Sequence, residues 1–195
     1  MRQIVVATGN RGKLREIRAL LGDDFELTVQ SEFDVPEADE TGLTFVENAI
    51  LKARNAAQHT GHAAIGEDSG LEVDALSGSP GIYSARYAGK NASDTDNNQK
   101  LLAALAGTDK RTARYRCVAV FMRHAGDPAP LICEGTWEGS IGITPAGDNG
   151  FGYDPLFLPA NSDRTAAEML PSEKNRVSHR ARALSLLAHH LTAWN

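Results

Sequence analysis

The fold is decided by residues 3–22, which read QIVVATGNRGKLREIRALLG. Residues 3–7 form a short, largely β-branched run of the kind that makes a buried strand. Residues 8–13 contain two glycines and an asparagine and predict a turn, after which apolar residues recur at helical spacing over 14–21. Gly22 predicts the end of that helix. The chain is therefore expected to open as strand, glycine loop and helix.

Strands and helices continue to alternate outward from this opening unit. The capping box Thr44-Phe45-Val46-Glu47 predicts a helix that ends at Gly61. A strand over 63–67 is expected to end at Asp68-Ser69-Gly70, and residues 71–76 are expected to form another strand or a turn. The other expected elements are a strand over 25–30, a helix over 94–106, paired strands over 114–122 and 131–141, and a final helix capped by Ser178. This order predicts an α/β fold with a mixed sheet rather than a purely parallel one.

The bulk composition excludes several classes of protein. A length of 195 residues suits a single domain over 1–195. A net charge of −5 is unlike that of general duplex-binding proteins, so no nucleic-acid partner is expected. Two cysteines are too few for a disulfide framework or a zinc site. Because no apolar run is long enough for a signal peptide or a membrane span, a soluble cytoplasmic protein is expected.

The glycine loop is the first candidate binding feature. A turn between a strand and a helix leaves free backbone N–H groups at the helix N-terminus, where they and the helix dipole favour an anion. Thr8 and Asn10 add side-chain donors, and Lys13 adds a positive charge. The spacing matches neither the P-loop nor the dinucleotide fingerprint. An ordinary turn with a solvated lysine is therefore an equally good interpretation of this loop alone.

Carboxylates form the second candidate feature. Asp68 follows a predicted strand, and strand ends in α/β sheets open onto the ligand-binding crevice. Glu40 lies in an acidic loop just before a helix. Magnesium is commonly held by one or two carboxylates together with water and phosphate oxygens, and Glu40 and Asp68 would supply these. Glu37 and Asp39 are interpreted as surface residues.

Two further segments carry groups suited to a nucleobase. Phe151-Gly152-Tyr153-Asp154 places an aromatic ring beside a glycine in a flexible loop, which suits base stacking, although a core aromatic in a tight loop explains the same pattern. Lys174, His179 and Arg180 supply hydrogen-bond donors for a base carbonyl or a phosphate. His179 and Arg180 are predicted in the first turn of the final helix, where cations are unfavourable to the helix dipole, which favours a functional use.

Together these segments resemble the inosine triphosphate pyrophosphatase family, the non-canonical purine nucleoside triphosphate pyrophosphatases. No single motif is decisive, but the combination is specific and spans nearly the whole chain in the family's order. The matching segments are Thr8-Gly9-Asn10, Lys13, Glu40-Thr41-Gly42, Glu47-Asn48-Ala49, Lys52, Asp68-Ser69-Gly70-Leu71, Pro80-Gly81-Ile82-Tyr83-Ser84-Ala85-Arg86-Tyr87, Gly150-Phe151-Gly152-Tyr153-Asp154-Pro155, Lys174 and Ser178-His179-Arg180.

The resemblance implies a fold and an activity. The implied fold is an elongated α/β structure with a mixed, twisted central sheet flanked by helices and an active site in a cleft between two lobes. The implied reaction cleaves ITP, dITP and XTP between the α and β phosphates, with magnesium as cofactor, giving a monophosphate and pyrophosphate. This would remove deaminated purines from the nucleotide pool. Family members are typically homodimers, so a homodimer is expected here.

The resemblance also implies roles for individual residues. Asp68 matches the base that activates water, and Glu40 and Asp68 match the metal ligands. The phosphate-binding positions are Thr8, Gly9, Asn10, Arg11, Gly12 and Lys13 in the first loop, together with Lys52, and Ser69 is a further substrate contact. The base-and-sugar loop is Phe151, Gly152, Tyr153 and Asp154, and Lys174, His179 and Arg180 match the residues that recognise the base. Glu67 stands where many relatives carry aspartate, so it is either a second metal ligand or an outer group.

Two rival functions stay open at this point. One is hydrolysis of another nucleotide, such as a modified pyrimidine triphosphate, because the evidence for a purine is weak in the residues themselves. The other is a nucleotide-binding module without catalysis, which would leave Glu40, Asp68 and Ser69 without a task. Magnesium-dependent release of pyrophosphate separates both from the family's reaction.

Overall fold

The computed structural model describes residues 3–22 and 25–192, with the side chains of residues 11, 12 and 192 left out. The strands are β1 Gln3–Ala7, β2 Glu26–Val29, β3 Ala63–Val73, β4 Thr112–Met122, β5 Leu131–Ile141 and β6 Phe157–Pro159. In the described part of the chain they form one six-stranded sheet in the order β2-β1-β3-β4-β5-β6. β1 pairs with β2 and β3 in parallel, whereas β5 and β6 are antiparallel. The predicted mixed α/β sheet is confirmed.

The α-helices begin and end at residues with clear local signals. Their bounds are α1 Arg11–Leu21, α2 Phe45–Thr60, α3 Asp94–Ala104, α4 Pro171–Val177 and α5 His179–Thr192. Thr44 caps α2 by accepting from the Glu47 backbone N–H, and Gly61 ends it with a positive φ of 69°. Ser93 and Asp96 form a reciprocal capping box at the start of α3. None of the helices in the described ranges has both the length and the apolar character that crossing a membrane requires.

The first loop is shorter than its composition predicts. α1 begins at Arg11, so the turn spans only residues 8–10 and the prediction of a turn over 8–13 was wrong at its end. The reason is local, because the Asn10 side-chain oxygen accepts from the Lys13 backbone N–H at 3.1 Å and starts the helix early. Lys13 therefore lies in the first turn of α1.

The strand β3 runs on where the sequence predicts that it ends. It continues from Ala63 through Asp68-Ser69-Gly70 to Val73, so the prediction that Glu67 and Asp68 end a strand was wrong. Buried side chains occupy nearly the whole strand, and packing outweighs the turn preference of Asp-Ser-Gly. Its parallel partner β1 does end here, since Ala7 is paired with Gly66. Glu67 and Asp68 therefore follow directly beyond the carboxyl end of β1.

The last two helices meet at Ser178. The sequence predicts Ser178 as the N-cap of the final helix. In the structure it has extended backbone angles and is the C-terminal cap of α4, with its N–H donating to the Lys174 carbonyl. α5 then begins directly at His179. The predicted position of His179 and Arg180 in the first turn of the final helix is confirmed.

Clustering of contacts divides the chain into two compact units. Unit 1 comprises the residues up to Asp68, Cys117–Gly135 and those from Arg180 onward. Unit 2 comprises Ser69–Arg116 and Thr136–His179. Each has its own apolar core. The core of unit 1 includes Ile4, Ile17, Ile65, Phe121 and Leu184, and that of unit 2 includes Leu71, Leu101, Tyr115, Trp137 and Phe157.

Within unit 1, helix α2 packs tightly on β3 at Gly66. A Cβ atom added to Gly66 would lie 2.3 Å from the Ala49 carbonyl oxygen and 2.5 Å from the Ala53 nitrogen. Only a residue without a side chain allows this approach. The close packing matters for function because α2 carries Lys52 and β3 carries Asp68.

We expect Gly66→Ala to lower the free energy of unfolding by at least about 1–3 kcal/mol, because helix and strand must separate to admit the methyl group. Urea denaturation measures this loss. Gly126→Ala is the matched control, since the nearest atom to its new methyl group, in the His124 ring, would lie 3.7 Å away. Equal unfolding midpoints for the two variants would contradict the expected steric conflict.

Candidate active site

The turn after β1 is organised by its own side chains. The Thr8 hydroxyl accepts from the Asn10 backbone N–H at 3.1 Å, and Asn10 in turn caps α1. Gly9 lies close to the Glu37 carboxylate, which is 3.2 Å from the position a Cβ would take. The turn thus presents the N-terminus of α1 next to the end of β1, where backbone N–H groups suit an anion. For the predicted binding residues Arg11 and Gly12, the structure describes only the backbone.

The acidic loop is held to α2 by a stripe of polar residues. The Asn48 side-chain oxygen accepts from the Gly42 N–H at 2.9 Å, and the Asn55 side-chain amide donates to the Pro36 carbonyl at 2.7 Å. Both asparagines share the helix face of Lys52, because residues four and seven apart lie on one stripe. These bonds fix the loop on both sides of Glu40.

Lys52 joins the two carboxylates that were predicted to hold a metal. Its ammonium nitrogen lies 2.6 Å from Glu40 Oε1 and 2.7 Å from Asp68 Oδ1. Burial lowers the pKa of Lys52, but attraction to Asp68 and Glu40 outweighs burial and holds it above the usual value. The structure therefore brings Glu40, Lys52 and Asp68 together around one positive charge.

The second carboxylate oxygen of Asp68 has no hydrogen-bond partner among the described residues. This atom, Oδ2, is buried, and the Asp68 side chain is only 8% exposed. Burial raises the pKa of Asp68, which the nearby Lys52 only partly offsets. A buried polar atom without a partner is costly in a folded protein. The arrangement suits a group that accepts a hydrogen bond or binds a ligand atom.

The same atoms fit a magnesium ion. Glu40 and Asp68 already share one cation, the Lys52 ammonium, so both reach a common point of positive charge. In the described ranges no group of three or more histidine, cysteine, aspartate or glutamate side chains is placed to hold a metal. Magnesium does not need such a cage, because it commonly retains waters and takes phosphate oxygens as ligands.

Glu67 is surrounded by a different set of groups from Asp68. Its Oε2 lies 2.9 Å from the Lys13 ammonium, and its Oε1 lies 3.1 Å from the Arg180 guanidinium. The buried Cys117 thiol also donates to Oε1 at 3.2 Å. Glu67 thus acts as the counter-ion of two cations, which favours the outer-group alternative over a second metal ligand.

Arg180 lies in unit 1 and is fully buried. Its guanidinium pairs with Glu16 on α1 as well as with Glu67. Burial lowers the pKa of Arg180, but the attraction of Glu67 and Glu16 raises it by more than burial lowers it. The pKa is therefore above its usual value, and the side chain stays charged. His179, its neighbour in sequence, belongs to unit 2. The structure therefore groups Arg180 with the carboxylates of Glu16 and Glu67.

The predicted base-and-sugar loop is organised by Asp154 in unit 2. Its Oδ2 accepts from the Phe151 N–H at 3.0 Å and from the Lys174 ammonium at 2.6 Å, and its Oδ1 accepts from the Tyr115 hydroxyl at 3.3 Å. Gly150 has a φ of 77°, and a Cβ there would collide with this carboxylate. The Lys174 nitrogen lies 5.0 Å from the centre of the Phe151 ring. Phe151 and Lys174 are thus held together by one buried carboxylate.

His179 stacks on aromatic rings of the same unit. Its ring lies 4.6 Å from that of Tyr115, centre to centre and nearly parallel, and 6.4 Å from that of Trp137. Burial keeps the pKa of Tyr115 well above its usual value, so its hydroxyl remains a neutral donor to Asp154. The predicted residues Lys174, His179, Phe151 and Asp154 are therefore linked through Tyr115 in unit 2.

Some predicted positions have other surroundings, and some residues were not predicted. Tyr153 is buried, and its hydroxyl donates to the Ser84 carbonyl at 2.8 Å, whereas Ser69 is partly exposed within β3. Sequence analysis did not single out Tyr115, Glu16, Asp94 or Asn98. The spacing of Asp94 and Asn98 places them on one face of α3, which the sequence signals, but nothing in the sequence relates that face to residue 152.

Comparisons with known proteins agree with one another. The model of the Ham1 family matches residues 4–190. A dITP/XTP pyrophosphatase of Vibrio parahaemolyticus is 56% identical, covering 99% of this chain and 98% of its own length. A dITP/XTP pyrophosphatase of Thioalkalivibrio sulfidiphilus is 58% identical, with coverage of 97% and 98%. The solved structure of a HAM1 protein from Coxiella burnetii has a TM-score of 0.93 at 52% identity, over 99% of this chain and all of that one (100%).

Proposed function

The chain belongs to the Ham1 family, and from this premise we propose that it hydrolyses ITP, dITP and XTP to the monophosphate and pyrophosphate. The similar proteins of Vibrio and Thioalkalivibrio, which share more than half of its residues, are dITP/XTP pyrophosphatases. The observation that carries the proposal is the buried Oδ2 atom of Asp68, which lacks a partner among the described residues beside Lys52 and Glu40. It gives the site a base where phosphate-binding cations are gathered.

Unit 1 supplies the groups for the triphosphate. Lys13 and Lys52 are cations held by carboxylates, and the N–H groups at the start of α1 lie after the end of β1. Each charge-assisted hydrogen bond to a phosphate oxygen contributes about 1.5–3 kcal/mol. Because Glu67 already fixes Lys13, little ordering of that side chain is needed on binding. These groups favour a polyphosphate over a neutral ligand.

Magnesium is the proposed cofactor, with Glu40 and Asp68 as its protein ligands. Bound there, the ion would neutralise part of the charge of the triphosphate and polarise a phosphoryl oxygen. Lys52 now neutralises both carboxylates. With magnesium held by these two carboxylates, the ammonium would be available to a phosphate oxygen. The support for magnesium is the donor set, the carboxylates of Glu40 and Asp68 that meet at one positive charge.

Asp68 is the proposed general base. A carboxylate oxygen with no competing donor accepts a hydrogen bond from water and aligns it for attack on the α phosphorus. Phosphoryl transfer needs little more than such positioning and charge stabilisation.

Unit 2 supplies the groups for the base. Stacking on Phe151 contributes about 1–3 kcal/mol for any base and cannot by itself distinguish among them. Lys174 and His179 add donors that would pair with the 6-carbonyl of hypoxanthine or xanthine. Adenine carries an amino group there, so donor would face donor, at a cost of about 1–3 kcal/mol for each unpaired group. This favours deaminated purines over ATP.

Incubation with each of ITP, XTP, dITP, dGTP and ATP tests the proposal, with pyrophosphate and orthophosphate measured separately. We expect pyrophosphate from ITP, XTP and dITP, little product from ATP or dGTP, and no turnover once a chelator removes magnesium. Orthophosphate as the product would contradict cleavage between the α and β phosphates. Binding of ITP without any product would favour a nucleotide-binding module instead.

A homodimer and a cytoplasmic location complete the proposal. Both are supported by the resemblance of the chain to its family. Sedimentation of the purified protein measures the first, since a dimer of 195-residue chains has twice the mass of one. Fractionation of the source cells tests the second.

A further inference from the structure

Two side chains of helix α3 form hydrogen bonds with Gly152, one with its N–H group and one with its carbonyl. Asp94 Oδ2 accepts from the Gly152 N–H at 2.7 Å. The Asn98 side-chain amide donates to the Gly152 carbonyl at 2.8 Å and also to the Asp94 carbonyl at 2.7 Å. Because the two residues are four apart, they lie on one face of the helix. A single helix face thus fixes the residue that follows Phe151.

The glycines of this loop explain why such hydrogen bonds are needed to hold it in one conformation. Gly147, Gly150 and Gly152 all have positive φ angles, of 82°, 77° and 65°. Glycine loses more conformational freedom on ordering than any other residue, so a loop with three of them is costly to hold in one form. Asp154 fixes the Phe151 N–H on one side, and α3 fixes Gly152 on the other. The backbone of Phe151 and of the residue after it is therefore fixed on both sides.

We propose that Asp94 and Asn98 are positioning residues that hold the Phe151 ring ready for a purine, and so set the affinity for purine nucleotides. The proposal rests on the proposed function, since it assumes that Phe151 stacks on the base. If the ring is already in position, binding the base loses little conformational entropy. If the loop is loose, it must become ordered on binding, and the lost entropy weakens the affinity. The hydrogen bonds of Asp94 and Asn98 described above run to Gly152 and within α3, and not to Asp68, Lys52 or Glu40. Their loss therefore weakens binding of the base and leaves the chemical step alone.

Binding of inosine monophosphate, measured by calorimetry, tests this without requiring turnover. For Asp94→Ala we expect about tenfold weaker binding, equivalent to about 1.4 kcal/mol. Asp94→Asn restores the affinity, because an amide oxygen still accepts from the Gly152 N–H. With ITP the alanine variant shows a raised KM and a kcat close to that of the wild type. Asn98→Ala, which removes a buried donor, follows the same pattern.

Asp96→Ala is the matched control. Asp96 is an exposed acid in the same first turn of α3, but it bonds to Ser93 and not to the loop. Its loss weakens the capping box and lowers the melting temperature while leaving the affinity for inosine monophosphate unchanged. Inorganic tripolyphosphate with magnesium, which has no base, binds equally to the wild type and to Asp94→Ala.

Three results would overturn the proposal. The first is unchanged binding of inosine monophosphate to Asp94→Ala, and the second is an equal loss in Asp96→Ala. The third is weaker binding of tripolyphosphate and inosine monophosphate alike in Asp94→Ala. Failure of the proposed function looks different, because the wild type would then bind inosine monophosphate but release no pyrophosphate from ITP. If the wild type bound no purine nucleotide, both the proposed function and the positioning role of Asp94 and Asn98 would be wrong.

Discussion

Asp68→Asn is expected to lower kcat for ITP by about 10²–10⁴-fold, the usual contribution of a positioned general base. The amide keeps the size of the carboxylate but cannot take a proton from water. Its remaining oxygen can still accept from the Lys52 ammonium, which now lies 2.7 Å from Asp68 Oδ1. Steady-state release of pyrophosphate, measured with saturating magnesium, gives the change in kcat.

The same substitution is expected to change the stability of the fold little, because two effects oppose each other. Burial raises the pKa of Asp68, so ionisation of Asp68 costs stability as the pH rises through its folded pKa, and a neutral amide removes that cost. The amide also removes a charge that holds the pKa of Lys52 above its usual value, although Glu40 remains as a partner of Lys52. A melting temperature close to that of the wild type separates lost catalysis from lost structure.

Asp39→Asn is the matched control for this experiment. Asp39 lies in the same acidic loop as Glu40, is exposed, and undergoes the same chemical change. We expect its kcat to stay near the wild-type value. Wild-type turnover by Asp68→Asn would instead end the assignment of Asp68 as the base, and another group would have to align the water.

Local signals in the sequence were enough for much of the fold. The capping residue Thr44 and the terminal Gly61 fixed both ends of α2, because these preferences act within one helical turn. The strand end predicted at Asp68-Ser69-Gly70 was wrong for the opposite reason. There the backbone continues in the sheet, and pairing and burial across the sheet outweigh the local preference.

The candidate site was predictable residue by residue but not as an arrangement. Glu40, Lys52 and Asp68 were each singled out, yet only the structure brings them around one charge. Arg180 is the clearest example of a contact that could not be predicted from the sequence. Its partner Glu16 is 164 positions away in the chain, and no periodicity or motif links two residues at that distance. Because Arg180 pairs with Glu16 and Glu67, it has two alternative roles, recognition of the base and stabilisation of the fold.

Arg180→Met is expected to lower the free energy of unfolding by about 3–5 kcal/mol, because removing one partner of a buried ion pair leaves the other charge uncompensated. Methionine fills a similar volume without the charge, so the change isolates the electrostatic loss from a cavity. Glu67 keeps Lys13 as a partner, which places the expected loss toward the lower end. Urea denaturation with an unchanged m-value measures it.

A second substitution separates the ion pair from other effects. If Glu67 is costly in Arg180→Met because its charge is unmatched, Glu67→Gln in that background should recover part of the loss. In the wild-type background the same change should destabilise the protein, since it removes a partner of both Arg180 and Lys13. Additive losses in this double-mutant cycle would contradict a coupled pair.

The ratio of kcat/KM for ITP over ATP then decides between the two roles of Arg180. A guanidinium that stays between Glu16 and Glu67 acts on stability, so the ratio should be unchanged in Arg180→Met at a temperature where the variant is folded. A guanidinium that leaves these carboxylates for the base would give the reverse, near wild-type stability with the ratio reduced by about tenfold or more, the effect of one buried donor. We expect the first outcome, because exchanging two buried charge pairs for a neutral carbonyl would leave Glu16 and Glu67 with less compensation than they now have.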